Sequence, residues 1–134
     1  MLKVAFICVH NSCRSQIAEA LAKQFASDLF AAYSAGTKLK SEINEDALRL
    51  MRELYGIDMQ AEGQYPKTID KIPPVDIVIS MGCEVACPDI GQDYNADWNL
   101  EDPSGKSDAV FKKVIKEIET KVLNLKKNIA QKYF

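Results

Sequence analysis

The alternation of short apolar runs with segments of helical periodicity constrains the fold of this 134-residue chain more than any other feature. Residues 2–7 are rich in aliphatic and aromatic side chains, lack helical spacing and are followed at once by polar residues, which predicts a buried strand. Over residues 15–28 the apolar positions recur every fourth residue, which predicts a helix. These positions are Ile17, Leu21 and Phe25.

Three later segments are predicted to complete the sheet. Residues 30–34 and 75–81 are apolar runs that predict a second and a third strand, and residues 97–100 predict a short fourth one. Between the last two lies a long stretch with few periodic signals. Loops of this length usually carry function.

Two further helices are predicted from capping residues and periodicity. Asn44 or Ser41 caps the first of them, which ends before Gly56. Ser107 caps a long C-terminal helix whose apolar residues lie three or four positions apart. The residues of that apolar face are Val110, Val114, Ile118, Val122, Leu125 and Ile129.

Strands that alternate with helices favour a parallel sheet with right-handed crossover connections. We therefore predict an α/β, three-layer fold with a central, mostly parallel four-stranded sheet and helices on both faces. The length suits a single domain over residues 1–134. Ligands of such folds bind at the carboxyl ends of the strands, where Cys8 and the loop that begins at Gly82 are expected.

Charge and cysteine content exclude several classes of function. Lys and Arg number 17 and Asp and Glu 19, which gives a net charge of −2 and disfavours a general nucleic-acid or anionic-membrane binder. The apolar start is interrupted by His10, Asn11 and Arg14, well short of a signal peptide or membrane span. We expect a cytoplasmic protein whose four cysteines are reactive, metal-binding or buried thiols rather than permanent disulfides.

The loop between the first strand and the first helix carries the residues needed for oxyanion chemistry. Inward-turned backbone N–H groups at a helix N-terminus form a nest for a tetrahedral anion, and Arg14 adds a bidentate fork. These surroundings and the hydroxyl of Ser15 favour the thiolate form of Cys8, which would be a nucleophile aimed at the bound anion. The predicted oxyanion-binding residues are Val9, His10, Asn11, Ser12, Cys13 and Arg14.

A less specific interpretation of the loop stays open. Cys8 can be a buried thiol at a strand end and Arg14 a surface charge, as most isolated residues of these types are. Asn11 suits a positive φ or a bracing role for its side-chain amide. His10 fits an exposed loop tip better than the role of a catalytic base, and Cys13 is predicted to be structural.

Four segments carry a family resemblance. The loop over residues 8–15 resembles the phosphate-binding loop of low-molecular-weight protein tyrosine phosphatases and of the arsenate reductases that share their fold. Residues 34–37, 81–88 and 98–106 resemble motifs of the reductase branch, in the right order. The resemblance implies a monomeric reductase that converts arsenate to arsenite, accepts phosphate or sulfate as mimics, and is regenerated by a thioredoxin-type reductant.

The resemblance gives redox roles to the two later cysteines. Cys83 would attack the sulfur of a Cys8–arsenate adduct, and Cys87 would then attack Cys83 to leave a Cys83–Cys87 disulfide. Such a pair supplies two electrons, which a phosphatase does not need. The alternatives are that both are loop-packing residues or two ligands of a zinc site, for which only Cys13 and His10 remain as further ligands.

Asp102 precedes Pro103, and the resemblance assigns it the role of general acid, although an Asp-Pro step is also a common turn opener. Ser104-Gly105-Lys106 stands where the phosphatases commonly carry aromatic residues. Hydrolysis of phosphomonoesters through a Cys8 phosphoenzyme is therefore the alternative function.

No cofactor is predicted, but the resemblance leaves a potassium ion open. Some of these reductases bind potassium with an aspartate, and Tyr65 stands near that position here. Asn11, Glu19 and Ser34 match the remaining positions of that site.

Overall fold

A computed structural model describes residues 1–82 and 90–133 of the chain. All the predicted strands and helices are present in the predicted order. They are β1 (Leu2–Ile7), α1 (Arg14–Ala26), β2 (Phe30–Ala35), α2 (Glu45–Tyr55), a one-turn 3-10 helix (Ile69–Lys71), β3 (Ile77–Ser80), β4 (Ala96–Asp97) and α3 (Asp108–Tyr133).

The four strands form one parallel sheet in the order β2-β1-β3-β4. Ile7, the last residue of β1, is in register with Ala35 of β2 and Ser80 of β3. The carboxyl ends of three strands therefore meet at one edge of the sheet. The residues that follow them, among them Cys8 and Gly36, form the candidate site.

The two faces of the sheet are covered differently. On one face, Val4 and Phe6 belong to a large core that includes buried residues of all three α-helices. On the other face, Ala5, Ile7 and Val78 pack against the 3-10 helix and the connecting segments. This arrangement confirms the predicted three-layer α/β class with a parallel four-stranded sheet.

Local hydrogen bonds explain where the boundaries differ from the predictions. Helix α1 ends at Ala26 rather than near residue 28 because the Ala26 carbonyl accepts the N–H of Leu29 in a turn. The fourth strand ends at Asp97, so the predicted strand over residues 97–100 is wrong in position. Asp97 Oδ1 accepts the N–H of Asn99, whose φ of +48° turns the chain out of the extended conformation.

The predicted caps and the predicted face of α3 are confirmed. Asn44 Oδ1 accepts the N–H of Ala47 at the start of α2, and Ser107 Oγ accepts the N–H of Val110 at the start of α3. On α3 the predicted apolar face is buried or half-buried along its length. No helix of the described residues combines the length and apolar character that crossing a membrane requires.

Candidate active site

Cys8 follows β1 directly and lies at the floor of the loop, with only 5% of its surface exposed. Its Sγ atom is 2.8 Å from the Oγ atom of Ser15. The side-chain amide of Asn11 donates to the same Oγ at 2.8 Å, which occupies one of its two lone pairs and leaves the hydroxyl hydrogen free to point at the sulfur. A Cys8 thiolate has no hydrogen to donate, so in that state the Ser15 hydroxyl is the donor of this contact.

The backbone of the loop turns its carbonyl groups outward. Each carbonyl of residues 9–12 accepts a hydrogen bond at 2.8–3.4 Å from a donor beyond the loop. Because the peptide group is planar and trans, the following N–H points the opposite way. The N–H groups of residues 10–13 donate to no described residue and therefore converge on the loop interior. The donors to the carbonyls are the amides of Thr37, Lys38, Lys40 and Asn44 and the side chain of Gln16.

Asn11 holds the loop in this shape. It is fully buried and has a φ of +49°, so the positive φ and the bracing amide that the sequence suggested as alternatives both occur. Its Oδ1 atom accepts from Gln16 Nε2 at 3.1 Å and from the N–H of Lys67 at 2.9 Å. Gln16 is braced in turn by Gln64 Nε2, which donates to its Oε1 at 2.8 Å.

Gly36 lets β2 lie directly against this loop. A Cβ atom at this position would be 2.6 Å from the carbonyl oxygen of Val9 and 2.8 Å from that of Cys8. Both neighbours are backbone atoms, and the Val9 oxygen is also held by the N–H groups of Thr37 and Lys38, so a side chain here could not be accommodated easily. The loop shape therefore depends on a glycine at the end of β2.

Arg14 is the first residue of α1 and bridges to the loops that follow β3 and β4. One terminal nitrogen of its guanidinium donates to the carbonyl of Leu100 at 2.8 Å and to those of Met81 and Gly82 at 3.3 Å. Its Nε and other terminal nitrogen donate to no described residue. The guanidinium is thus oriented by the protein on one side and keeps two parallel donors for an anion.

Asp102 stands on the rim of the pocket that Cys8 and Arg14 line. Burial opposes ionisation of its carboxyl group, but hydrogen bonds from Ser104 and the charges of Arg14 and Lys40 outweigh burial and lower its pKa. The free protein therefore carries Asp102 as a carboxylate at neutral pH. To act as an acid, it must gain a proton when an anion binds beside it.

Cys13 and His10, two further predicted loop residues, have no reactive environment. Cys13 is 4% exposed, and burial, together with the charge of Asp102, raises the pKa of its thiol to about 12. His10 is exposed, and its Nδ1 atom lies 2.7 Å from the carbonyl oxygen of Lys38. No cluster of three metal-ligating side chains occurs within residues 1–82 and 90–133. Cys83 and Cys87 lie outside the described residues.

Comparison with known proteins identifies this architecture. The family model of the low molecular weight phosphotyrosine protein phosphatases matches residues 3–133. The chain belongs to this family. Its relatives include a protein of Synechocystis sp. named glutaredoxin arsenate reductase, 38% identical over 128 residues that cover 93% of this chain and 96% of the relative.

The solved structures that are similar to this chain include two named arsenate reductases. One, in the phosphate binding state, has a TM-score of 0.82 and 38% identity and covers 96% of this chain and 99% of its own. The other is a thioredoxin-dependent arsenate reductase of Corynebacterium glutamicum, with a TM-score of 0.76 and 35% identity. It covers 98% of this chain and 63% of its own. The resemblance seen in the sequence is thereby confirmed.

Several residues that shape the site were not predicted as part of it. Gln16, Gln64 and Lys67 hold Asn11 or its neighbours, and the carbonyl of Leu100 orients Arg14. Gln16 has no sequence signal of its own, because its complete burial appears only in the folded chain. The others depend on contacts between distant segments.

Proposed function

We propose that this chain reduces arsenate to arsenite through a thiol–arsenate adduct on Cys8. The observation that carries the proposal is the Cys8 Sγ atom, 2.8 Å from Ser15 Oγ, beneath the converging N–H groups of residues 10–13. Such a loop binds a tetraoxo anion and presents the sulfur to its central atom. Phosphate and sulfate have the same shape and should compete as mimics.

The first step forms the adduct. The Cys8 thiolate attacks arsenic and forms an S–As bond, while one arsenate hydroxyl leaves as water after gaining a proton from Asp102. Arg14 and the loop N–H groups hold the remaining oxygens and their negative charge. The arsenic is still pentavalent at this stage.

Reduction then takes place by thiol exchange. Cys83 thiolate attacks the Cys8 sulfur and forms a disulfide, the S–As bond breaks, and its electron pair stays on arsenic, which leaves as arsenite. Cys87 attacks Cys83, which releases the Cys8 thiolate and leaves a Cys83–Cys87 disulfide. Gly82, which directly precedes Cys83, has its carbonyl against Arg14, so the chain enters the cysteine segment beside the site.

An external dithiol must reduce the final disulfide. We propose a thioredoxin-type protein for this role, supported by the thioredoxin-dependent relative from Corynebacterium glutamicum. The Synechocystis relative is named for glutaredoxin, so both reductants belong in the assay. Monomeric state and cytoplasmic location remain predictions from the sequence.

Hydrolysis of phosphomonoesters is the second candidate, favoured by the family itself and by Asp102 on the rim of the anion pocket. The loop that would bind arsenate also accepts phosphate. Slow hydrolysis of an aryl phosphate is therefore expected whether the protein is a reductase or a phosphatase. Among the described residues, no Phe, Tyr or Trp lines the pocket to grip a phosphotyrosine ring. This favours a small inorganic oxyanion as the substrate.

The deciding assay measures arsenite formation with a thioredoxin system and, in parallel, with glutaredoxin and glutathione. We expect sustained arsenite formation by the wild-type protein and none by Cys83→Ser, because the S–As bond of the adduct breaks only when the Cys83 thiolate attacks the Cys8 sulfur. Hydrolysis of p-nitrophenyl phosphate by Cys83→Ser should stay near the wild-type rate. A wild-type protein that hydrolyses the ester but forms no arsenite with either system is a phosphatase.

Asp102→Asn should separate the acid role from anion binding. We expect the rate of phenyl phosphate hydrolysis to fall by roughly 10²- to 10⁴-fold, since a poor leaving group needs a proton. For p-nitrophenyl phosphate, whose leaving group departs readily as an anion, the fall should be much smaller. Equal losses with the two esters would show that Asp102 only shapes the loop with Ser104.

A further inference from the structure

Glu19 is a carboxylate buried behind the catalytic loop. It lies on α1, is 3% exposed, and accepts a hydrogen bond from Ser34 Oγ at 2.7 Å. Lys23 Nζ contacts its other oxygen at 2.6 Å, and Lys67 Nζ lies 3.7 Å from the first one. A buried carboxylate destabilises the folded state unless such partners neutralise it. The two ammonium groups around Glu19 therefore contribute to the stability of the fold.

Lys67 is the buried member of this pair of cations. Its side chain is 11% exposed, against 43% for Lys23. Its ammonium donates to the carbonyl of Tyr65 at 3.1 Å and lies 5.0 Å from the centre of the Tyr65 ring. Burial lowers the pKa of Lys67 below its usual value, and the facing charge of Glu19 limits this fall.

These contacts do not suit the potassium ion that the family resemblance left open. The matching oxygens are already engaged by protein donors: Glu19 by Ser34 and both lysines, and Asn11 Oδ1 by Gln16 and the N–H of Lys67. A potassium ion here would also face two ammonium groups across one carboxylate. These oxygens therefore suit the ammonium group of a protein side chain and do not suit a bound potassium ion.

The segment that carries Lys67 is joined to the nucleophile by consecutive hydrogen bonds. The Lys67 N–H donates to Asn11 Oδ1, Asn11 Nδ2 donates to Ser15 Oγ, and Ser15 Oγ contacts Cys8 Sγ. The Lys67 carbonyl accepts the N–H of Gly36, the glycine that packs on the loop. An interaction that fixes the position of Lys67 therefore also stabilises the oxyanion-binding loop.

We propose that the ammonium of Lys67 serves as a built-in substitute for a bound potassium ion. It neutralises Glu19 and fixes its own backbone against Asn11, so that the oxyanion loop is formed without any alkali-metal ion. Lys67 is a positioning residue, because it acts through Asn11 and Ser15 and touches no reacting atom. The inference goes beyond arsenate reduction and does not rest on it.

The test compares four proteins in potassium chloride and in choline chloride of equal ionic strength. They are the wild type, Lys67→Met, Lys67→Arg and the matched control Lys23→Met. Melting temperature and phosphate affinity, the latter by titration calorimetry, are the readouts. Neither depends on arsenic chemistry, so a failed arsenite assay and a failed result here remain distinguishable.

We expect the wild type, Lys67→Arg and Lys23→Met to show no potassium-specific response in either readout. In choline chloride, Lys67→Met should melt roughly 5 °C lower and bind phosphate about tenfold more weakly, because Glu19 loses its buried partner and the loop loses its support. Potassium should restore a large part of both losses. A matching response in the wild type, or none in Lys67→Met, would overturn the proposal.

A double variant guards against a protein that fails to fold. Lys67→Met with Glu19→Gln removes both charges together and leaves Ser34 with an amide oxygen as acceptor. We expect it to fold and to bind phosphate within about twofold of the wild type in both salts, since no buried charge is left unpaired. Failure of this variant to recover phosphate binding would show that charge neutralisation is not the role of Lys67.

Discussion

Cys8→Ser will lose arsenite formation and aryl phosphate hydrolysis together, each by roughly 10⁴-fold or more. When Cys8 attacks as a thiolate, the Ser15 hydroxyl can donate to Sγ, and the loop N–H groups and Arg14 supply positive potential around the bound anion. A serine hydroxyl keeps its proton in the same surroundings and is a weak nucleophile without an adjacent base. Steady-state rates of both reactions, measured on one preparation, give the comparison.

Anion binding should survive the same change. The four inward N–H groups and Arg14 remain in Cys8→Ser, so phosphate should bind with an affinity within about tenfold of the wild type. Cys13→Ala is the matched control, because Cys13 is an equally buried thiol whose pKa of about 12 keeps it protonated. It should keep at least about a tenth of the wild-type rate. If both variants lose activity equally, the loss reflects damage to the loop and not removal of a nucleophile.

The predicted part of the site is the part that is contiguous in the chain. Cys8, Arg14 and Ser15 lie within one strand–loop–helix unit, whose geometry is set by local backbone structure and by the end of β1. The pattern of apolar residues places that unit reliably, because a buried strand followed by an amphipathic helix has few alternatives. For the same reason the order of all strands and helices was predictable.

The unpredicted part consists of contacts between distant segments. Arg14 is oriented by the carbonyl of Leu100, and Gln16 is held by Gln64, across separations of 86 and 48 residues. A carbonyl group has no sequence signal, and a glutamine is usually an exposed residue. The lowered pKa of Asp102 could not be predicted from the sequence either, since it depends on hydrogen bonds from Ser104 and on the charges of Arg14 and Lys40 in the folded chain.

Cys87→Ser will form one arsenite per protein molecule and then stop. In the proposed relay Cys87 resolves the Cys8–Cys83 disulfide, and a serine hydroxyl cannot attack a disulfide at a useful rate. Without added reductant, the wild type should also stop after one turnover, but with Cys8 free and a Cys83–Cys87 disulfide. Mass mapping of peptides under non-reducing conditions should therefore show a Cys8–Cys83 linkage in the variant only.

Hydrolysis of p-nitrophenyl phosphate gives an independent measure of the same state, because it needs a free Cys8 thiolate. After a single arsenate turnover, the wild type should keep this activity, whereas Cys87→Ser should lose nearly all of it and recover it with a small-molecule dithiol. Treatment with phosphate in place of arsenate is the control, since phosphorus accepts no electrons from the relay. Continued arsenite formation by Cys87→Ser, with Cys8 still open to alkylation, would mean that the external reductant attacks the arsenic adduct directly and that the two later cysteines do not act in this order.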